Sequence, residues 1–209
     1  MAAPQTLSDR IRRWADRLAE EPRAFHWLRK LPEANYRATK ARIRAVRDAL
    51  GRPRVLDAGC GTGEYAALFE PARYLGVDLH PGYVAYARRR HPRHRFEVAD
   101  LRDWVGSEQR FDLVLVNGVL HHLDDADARA LLGTAARRRA PGGSLLVIED
   151  VSLPRPGLGT RLVHALDHGH FIRDAARWRE LVSAVAPIAR SETYLSGLCP
   201  YHLMLCSGD

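Results

Sequence analysis

Three glycines at alternate positions follow a short apolar run in the stretch VLDAGCGTG, residues 55–63. They are Gly59, Gly61 and Gly63, and Asp57 lies just before them. Glycine inside a regular element costs roughly 0.5–1 kcal/mol relative to alanine, so a group of three requires a physical reason. Either the backbone turns tightly here or a ligand approaches it closely. A strand, a glycine-rich turn and a helix beginning near Gly63 would place a helix N-terminus beside that ligand.

The acidic residues around the turn bear on which ligand it would hold. The dinucleotide fingerprint G-x-G-x-x-G requires a third glycine where this chain has Glu64. Glu64 and Asp57 would both repel a pyrophosphate, whereas Asp57 would be a suitable neighbour for an ammonium group. The stretch therefore favours a nucleoside that carries an amino acid. A nicotinamide-dependent oxidoreductase is the alternative.

Apolar, β-branched runs alternate with helical patterns around this turn, which is typical of a parallel sheet covered on both faces. The predicted strands are 54–58, 74–78, 95–98, 111–117, 144–149, 189–195 and 201–206, and the predicted helices are 8–20, 22–30, 34–49, 63–70, 81–91, 124–139 and 174–184. The short connection 196–200 favours an antiparallel pair for the last two strands.

Four motifs in the predicted order resemble the class I S-adenosylmethionine-dependent methyltransferases, whose first motif is D-x-G-x-G-x-G. The others are YLGVDLHP, FEVADLRDW and FDLVLVNGVLHHLDD, and RRAPGGSLLVIED resembles the family's turn and fifth strand. The resemblance covers about residues 53–151. It implies a Rossmann-like, doubly wound α/β fold, with a mostly parallel seven-stranded sheet, an antiparallel terminal strand and an N-terminal helical cap.

The resemblance also implies S-adenosyl-L-methionine as the cofactor. Asp78, which follows Asp57 by 21 residues, would bind both ribose hydroxyls, since a carboxylate can accept from two hydroxyl groups. Asp100 and the Leu101 backbone N–H would bind adenine, and Asn117 would lie beside the methionine part. The full predicted cofactor set is Asp57, Gly59, Cys60, Gly61, Gly63, Asp78, Leu79, Asp100, Leu101, Asn117, Gly118 and Tyr36.

The helix that precedes the first strand is a further candidate part of this site. Family resemblance implies that Tyr36 or Lys40 contacts the methionine carboxylate, because such a helix often folds over the cofactor. The two side chains are four residues apart and share a helical face. Packing of an amphipathic helix against the sheet is the alternative for either residue alone.

Histidines supply the candidate catalytic groups. His121 and His122 follow the fourth predicted strand, where the methyl group would lie, and only one of two adjacent side chains should face the pocket. His170 lies in the Pro-, Gly- and His-rich insertion, together with Arg173 as a second pocket candidate. Packing or helix capping is the alternative for each of them.

No metal site is predicted. Asp124, Asp125 and Asp127 are interpreted as the N-cap and first-turn acids of the helix at 124–139. The three cysteines are too few and too poorly spaced for a disulfide framework or a zinc site. They agree with a reducing compartment.

The bulk composition limits the partners. The net charge is +7 and nearly all basic residues are arginine. The run RRRHPRHR at 88–95 favours a solvated helix end over a nucleic-acid site, because no aromatic residue interleaves with it. No segment of membrane-span or signal-peptide length is found, so a cytoplasmic protein without membrane contact is expected. A homo-oligomer is compatible with the sequence.

These inferences converge on one expected organisation. Residues 1–50 would form a helical cap and residues 51–209 a methyltransferase domain, with an acceptor-binding insertion at about 152–173. The expected activity is methyl transfer to an oxygen or nitrogen of a small bacterial metabolite. The alternatives are an RNA or protein methyltransferase and a member of the fold that binds the cofactor without methylating.

Overall fold

The computed structural model describes residues 33–104, 108–158, 160 and 171–207. The predicted helices at 8–20 and 22–30, and most of the predicted insertion, lie outside the described residues. The strands are β1 (Val55–Ala58), β2 (Tyr74–Asp78), β3 (Arg95–Val98), β4 (Phe111–Asn117), β5 (Arg139–Asp150), β6 (Arg190–Ser196) and β7 (Cys199–Ser207). The described residues include the α-helices α1 (Arg37–Ala49), α2 (Pro81–Arg90), α3 (Asp125–Arg137) and α4 (Ala175–Ser183).

The seven strands form one sheet in the order β3-β2-β1-β4-β5-β7-β6. Strands β1 to β5 are parallel, and β7 is antiparallel to both of its neighbours. The sheet confirms the predicted Rossmann-like architecture with an antiparallel terminal strand. The carboxyl ends of β1 to β5 meet at one edge, which we call the carboxyl edge. In open α/β sheets ligands bind at this edge, where the strand order reverses, here between β1 and β4.

Two apolar layers cover the faces of the sheet. On one face Ile43 of α1 and Val84 of α2 are fully buried against the strands. On the other face Leu132 of α3 and Trp178 of α4 are fully buried. The strands between these layers are therefore apolar on both sides, as the sequence pattern predicts.

The prediction of a helix at 63–70 is wrong. The segment is a series of turns followed by a short 3-10 helix, Ala66–Leu68. Gly63 has a left-handed backbone, with φ at 74°, and Phe69 is extended. Tyr65, Ala66, Leu68 and Phe69 are all buried, so the segment enters the core instead of presenting one apolar face to it.

The fifth strand also differs from the prediction, because it begins at Arg139 instead of residue 144. Phe111 pairs with Arg139 and Leu113 with Ser144, so the residues between them bulge out of the ladder. Gly142 permits this bulge through its left-handed φ of 72°.

Candidate functional site

The glycine-rich turn after β1 folds back onto β2. The N–H groups of Gly59 and Cys60 donate to the Val77 carbonyl, at 2.8 and 3.1 Å. The Gly61 N–H donates to Asp78 Oδ2 at 2.8 Å. The turn is therefore fixed by its neighbour strand and by the carboxylate that ends that strand.

The three glycines of the turn have different surroundings. A Cβ on Gly59 would lie 2.2 Å from Cγ2 of Val119, and one on Gly63 would lie 3.2 Å from Ala87 and from His91. A Cβ on Gly61 would meet nothing within 4 Å. All three glycines have a left-handed backbone. Packing also excludes a side chain at Gly59 and Gly63, whereas Gly61 leaves the turn open on its outer side.

This geometry is unsuited to a pyrophosphate. An anion cradle at the first βα turn needs N–H groups directed outward at the start of a helix. Here no α-helix follows the turn, and the N–H groups of Gly59, Cys60 and Gly61 are already bonded. The alternative of a dinucleotide site therefore lacks the outward N–H groups that it requires.

Asp78 retains capacity to accept further hydrogen bonds. Its Oδ2 accepts from Gly61 and its Oδ1 accepts from the His80 N–H at 2.8 Å. A carboxylate has about four lone-pair sites, so two donors leave room for a pair of hydroxyls. Burial raises the pKa of this carboxyl, and the two backbone donors oppose that shift.

Two apolar side chains beside Asp78 are exposed at the carboxyl edge. Leu79 is 61% exposed and Val98 is 48% exposed, although Val98 pairs with Asp78 across β2 and β3. Exposed aliphatic groups of this size next to a carboxylate suit a ligand with a flat apolar base and a hydroxylated sugar.

Asp57 and Cys60 lie beneath the turn, on its inner side. Asp57 is 1% exposed and accepts a hydrogen bond from the Tyr74 hydroxyl at 2.7 Å. Burial raises the pKa of Asp57 to about 7, and it also raises the pKa of the Cys60 thiol. The side chains of these two predicted cofactor ligands therefore support the turn from within.

Asp100 is engaged by an arginine that the sequence analysis did not identify. Both of its carboxylate oxygens accept from Arg102, at 2.5–3.0 Å, and these bonds lower the pKa of Asp100. The same guanidinium reaches Asp127 of α3 at 2.6 Å. Leu101, the second predicted adenine contact, is 7% exposed. The family resemblance predicts that the Asp100 carboxylate binds adenine, but in this structure Arg102 occupies that carboxylate.

A buried acceptor lies at the end of β4. The Asn117 Oδ1 atom has no hydrogen-bond partner among the described residues, and the side chain of Asn117 interacts with Tyr65. The Tyr36 ring meets Tyr65 edge-on at 6.0 Å. Gly118 follows with a left-handed φ of 65°. An oxygen in this position can accept from an ammonium group.

The segment that leads into α1 is strained and is tied down by charge. Ala34, Asn35 and Tyr36 all have positive φ, of 49°, 56° and 58°, which is rare for non-glycine residues. Lys40 pairs with Glu64, and Arg90 pairs with the same carboxylate at 3.0 Å. Lys40, a candidate for the methionine carboxylate, instead binds the glycine-rich turn to α1.

The loop after β4 is organised by Glu149, which is fully buried at the end of β5. Glu149 Oε1 accepts from the N–H groups of Val119 and Leu120, at 3.0 and 2.9 Å. Its Oε2 accepts from the His121 N–H at 3.3 Å and lies 2.9 Å from His121 Nδ1. A buried carboxylate is costly unless it is well hydrogen-bonded, and here four donors face it.

The two adjacent histidines have different surroundings. His121 is fully buried, with its ring held by Glu149 and 3.6 Å from Asp150. His122 is exposed, with its ring centroid 4.1 Å from that of His121. The geometry assigns His121 to the support of the loop and leaves His122 accessible at the carboxyl edge. His170 lies outside the described residues.

Arg173 fastens the end of the insertion to the same loop. Its guanidinium donates to the carbonyls of Leu120 and Leu123, at 3.2 and 2.8 Å, and to Asp125 at 2.9 Å. Its side chain is 8% exposed. Arg173 therefore stabilises the loop after β4, a role that we call the Arg173 clip. Its contacts do not support the interpretation of Arg173 as a group that lines the pocket.

Glu149 and the Arg173 clip are the main site features that sequence reasoning missed. A signal existed for Glu149, because an acidic residue ends the apolar run SLLVI in β5. Its partners depend on the pairing of β4 with β5, in which Asn117 lies opposite Ile148. That register brings Glu149 to the loop and cannot be read from residue spacing alone.

The first of the acidic residues at the start of α3 acts in helix capping. Asp124 caps α3 by accepting from Ala126 and Asp127, both at 2.9 Å, which confirms its interpretation as an N-cap. In the described part of the chain no group of three His, Cys, Asp or Glu side chains could hold a metal. Among the described residues no helix combines the length and apolar character that crossing a bilayer requires.

The basic run at 88–95 is partly consumed by internal contacts. Arg88 donates to the Phe96 carbonyl at 2.6 Å, Arg90 pairs with Glu64, and Arg95 pairs with Glu97. Three of the five arginines in the run therefore have partners within the protein, while Arg89 and Arg93 are exposed.

Comparison with known proteins shows which proteins this chain is similar to. Residues 55–143 match the family model described as methyltransferase domain. The chain is 38% identical over 125 residues to trans-aconitate 2-methyltransferase of Methylobacterium nodulans, covering 55% of this chain and 47% of that protein. It spans less than half the length of the curated relatives it matches.

Solved structures agree with this assignment. The N-methyltransferase NodS of Bradyrhizobium japonicum, in complex with S-adenosylhomocysteine, matches with a TM-score of 0.71 and 17% identity, covering 95% of this chain and 98% of that one. A protein from echinomycin biosynthesis, described as converting a disulfide bond into a thioacetal group, matches with a TM-score of 0.63 and 26% identity, covering 80% and 81%. The glycine-rich turn, the acid at the end of β2 and these matches agree. Residues 55–143 carry a methyltransferase domain, and the described residues have the fold of the class I S-adenosylmethionine-dependent methyltransferases.

Proposed function

We propose that the protein binds S-adenosylmethionine at the carboxyl edge and transfers its methyl group to a small-molecule acceptor. The observation that carries the proposal is the turn at Gly61. Its outer side is open, and beneath it Asp78 retains lone pairs for two hydroxyl groups. A Cβ at Gly61 would fill the space that a ligand needs.

The residues at this edge fit the parts of the cofactor. Asp78 would accept from the ribose hydroxyls, and Leu79 and Val98 would cover the adenine. Asn117 Oδ1, a buried oxygen without a partner among the described residues, would accept from the ammonium group. Arg102 occupies both oxygens of Asp100, so adenine recognition through Asp100 requires this guanidinium to turn toward Asp127.

The bound cofactor would supply an activated methyl group on a sulfonium. The contribution of this chain is then mainly alignment, which can account for about 7–11 kcal/mol of a barrier. The loop after β4 would set one wall of the acceptor site, and Glu149 and Arg173 hold it from opposite sides. His122, exposed on that loop, would take a proton from a hydroxyl or amine acceptor, a role worth roughly 10²–10⁴-fold.

A small molecule is favoured over RNA or protein as the acceptor. The names of the relatives and neighbours refer to trans-aconitate, to N-methylation and to echinomycin biosynthesis. Three arginines of the basic run at 88–95 make contacts within the protein, which weakens the argument for a nucleic-acid substrate. We also propose that residues 51–209 form the cofactor-binding domain, covered by residues 1–50, with the acceptor insertion at about 152–173.

The first experiment measures cofactor binding by calorimetry. S-adenosylhomocysteine should bind and NADH should not. Binding of NADH alone would overturn the proposal and restore the oxidoreductase alternative.

The second experiment screens acceptors. S-adenosylmethionine is supplied with trans-aconitate, with other small carboxylic acids, hydroxyl compounds and amines, and with bulk RNA, and formation of S-adenosylhomocysteine is measured. Turnover with a small molecule supports the proposal, whereas turnover only with RNA contradicts the acceptor class. Tight cofactor binding without turnover on any acceptor would favour a non-methylating role.

A further inference from the structure

We infer that Glu149 is a positioning residue for the methyl-transfer reaction, acting through the loop Val119–His121 and not on substrate; the inference rests on the proposed function. The Glu149 carboxylate is the only group among the described residues that binds three successive N–H groups of this loop. Its position at the end of β5 is fixed by seven residue pairs with β7. Through Glu149 the loop is therefore bound to a strand that is paired on both sides.

The bond to His121 also fixes the protonation pattern of that ring. A carboxylate can only accept, so His121 Nδ1 carries the hydrogen that faces Glu149 Oε2. The ring is fully buried and its neighbour in the chain is the exposed His122. Glu149 therefore holds both the backbone and the ring of His121, the residue directly before His122.

The carbonyl side of the same loop is held from the outside. Arg173 donates to the carbonyls of Leu120 and Leu123, and the Phe171 N–H donates to the His121 carbonyl at 3.0 Å. The loop therefore has its N–H groups bonded to a buried carboxylate and its carbonyls bonded to the end of the insertion. A change at Glu149 releases only the first of these two attachments.

Cofactor binding should be largely independent of Glu149. The N–H groups of Gly59, Cys60 and Gly61 donate to Val77 and Asp78, and the turn meets the loop after β4 through the packing of Gly59 against Val119. Removal of the carboxylate should consequently affect the presentation of His122 and the acceptor wall more than the cofactor site. A 1 Å displacement of aligned groups can reduce a rate by about 10²-fold.

The test compares Glu149→Gln and Glu149→Asp with Glu70→Gln. Glu70 is a matched control, because its carboxylate pairs with exposed Arg52 outside the carboxyl edge. Amide hydrogen exchange of residues 119–121, measured by NMR, requires no acceptor. We expect exchange at least 10-fold faster in Glu149→Gln, partial rescue in Glu149→Asp, unchanged protection in β1 and β2, and no change in Glu70→Gln.

Kinetics provide the second readout, using an acceptor found in the screen above. For Glu149→Gln we expect kcat to fall about 100-fold, while the affinity for S-adenosylhomocysteine changes less than about 3-fold. A general loss of protection across the sheet, or equal losses in kcat and cofactor affinity, would mean that Glu149 only supports the fold and would overturn the inference. Unchanged exchange at 119–121 would overturn it as well. If the wild-type protein methylates no acceptor but the exchange results are as expected, the proposed function fails and the assignment of Glu149 to the loop stands.

Discussion

Gly59 and Val119 are in direct contact, since a Cβ built on Gly59 would lie 2.2 Å from Cγ2 of Val119. The contact joins the turn after β1 to the loop after β4, on either side of the point where the strand order reverses. Gly59 is thus explained by a tertiary contact and not by a ligand. This distinction makes the glycines separable by mutation.

Gly61→Ala should weaken cofactor binding in addition to destabilising the protein modestly. A left-handed backbone costs a non-glycine residue about 1–2 kcal/mol, and the new Cβ meets no protein atom. We expect at least a 10-fold loss of S-adenosylhomocysteine affinity in calorimetry. Gly51→Ala is the matched control, because Gly51 also has a positive φ and open surroundings but lies before β1. Equal affinity losses in both variants would remove Gly61 from the site.

Asp78→Asn should reduce cofactor affinity without loss of the fold. Hydrogen bonds to a charged group contribute about 1.5–3 kcal/mol, so a loss of roughly 10- to 150-fold in S-adenosylhomocysteine affinity is expected by calorimetry. Asp112→Asn provides the comparison, since Asp112 also accepts from a backbone N–H, that of Arg54, but does so outside the carboxyl edge. Unchanged affinity of Asp78→Asn would contradict the ribose assignment.

The sequence predicted the parts of the site that follow from local pattern. Asp124 could be placed because it precedes a helix, and Asp78 because the family resemblance implies an acid at the end of the second strand. The sheet and its antiparallel terminal strand followed from strands, helices and one short connection. Each of these inferences uses residues that are close together in the chain.

The features that sequence reasoning missed depend on distant contacts. The helix predicted at 63–70 fails because Tyr65 and Phe69 are drawn into the core beside Tyr74. Arg102 bridges Asp100 and Asp127, which are 27 residues apart and meet only in the folded chain. The same applies to Glu149, whose partners lie on another strand's loop. Local propensity contains no information about these pairings.

Arg173→Ala should destabilise the protein, because it leaves the Leu120 and Leu123 carbonyls without these donors and weakens the charge pairing of Asp125. We expect the free energy of unfolding in urea to fall by about 2–4 kcal/mol. Arg129→Ala is the control, since the exposed Arg129 also pairs with Asp125, at 4.0 Å within α3, and should cost less than about 0.5 kcal/mol. Similar losses in the two variants would show that Arg173 acts as an ordinary surface charge.

Asp57 should make the free energy of unfolding depend on pH. Burial raises the pKa of Asp57 to about 7 in the folded protein, whereas an unfolded aspartate titrates near 3.9. Between these values the folded state binds more protons than the unfolded state, so this group's contribution to stability is complete below about pH 4 and is lost as the pH rises through about 7.

Asp57→Asn should remove that dependence, because the amide carries no titrating proton and its oxygen still accepts from the Tyr74 hydroxyl. The difference in unfolding free energy between Asp57→Asn and wild type should therefore increase from pH 4 to pH 8 in favour of the variant, by up to about 4 kcal/mol. Urea denaturation at several pH values measures it, with the exposed Asp48→Asn as control. A difference that stays constant over this range would mean that Asp57 is ionised throughout, and that the space beneath the glycine-rich turn is more polar than its contacts indicate.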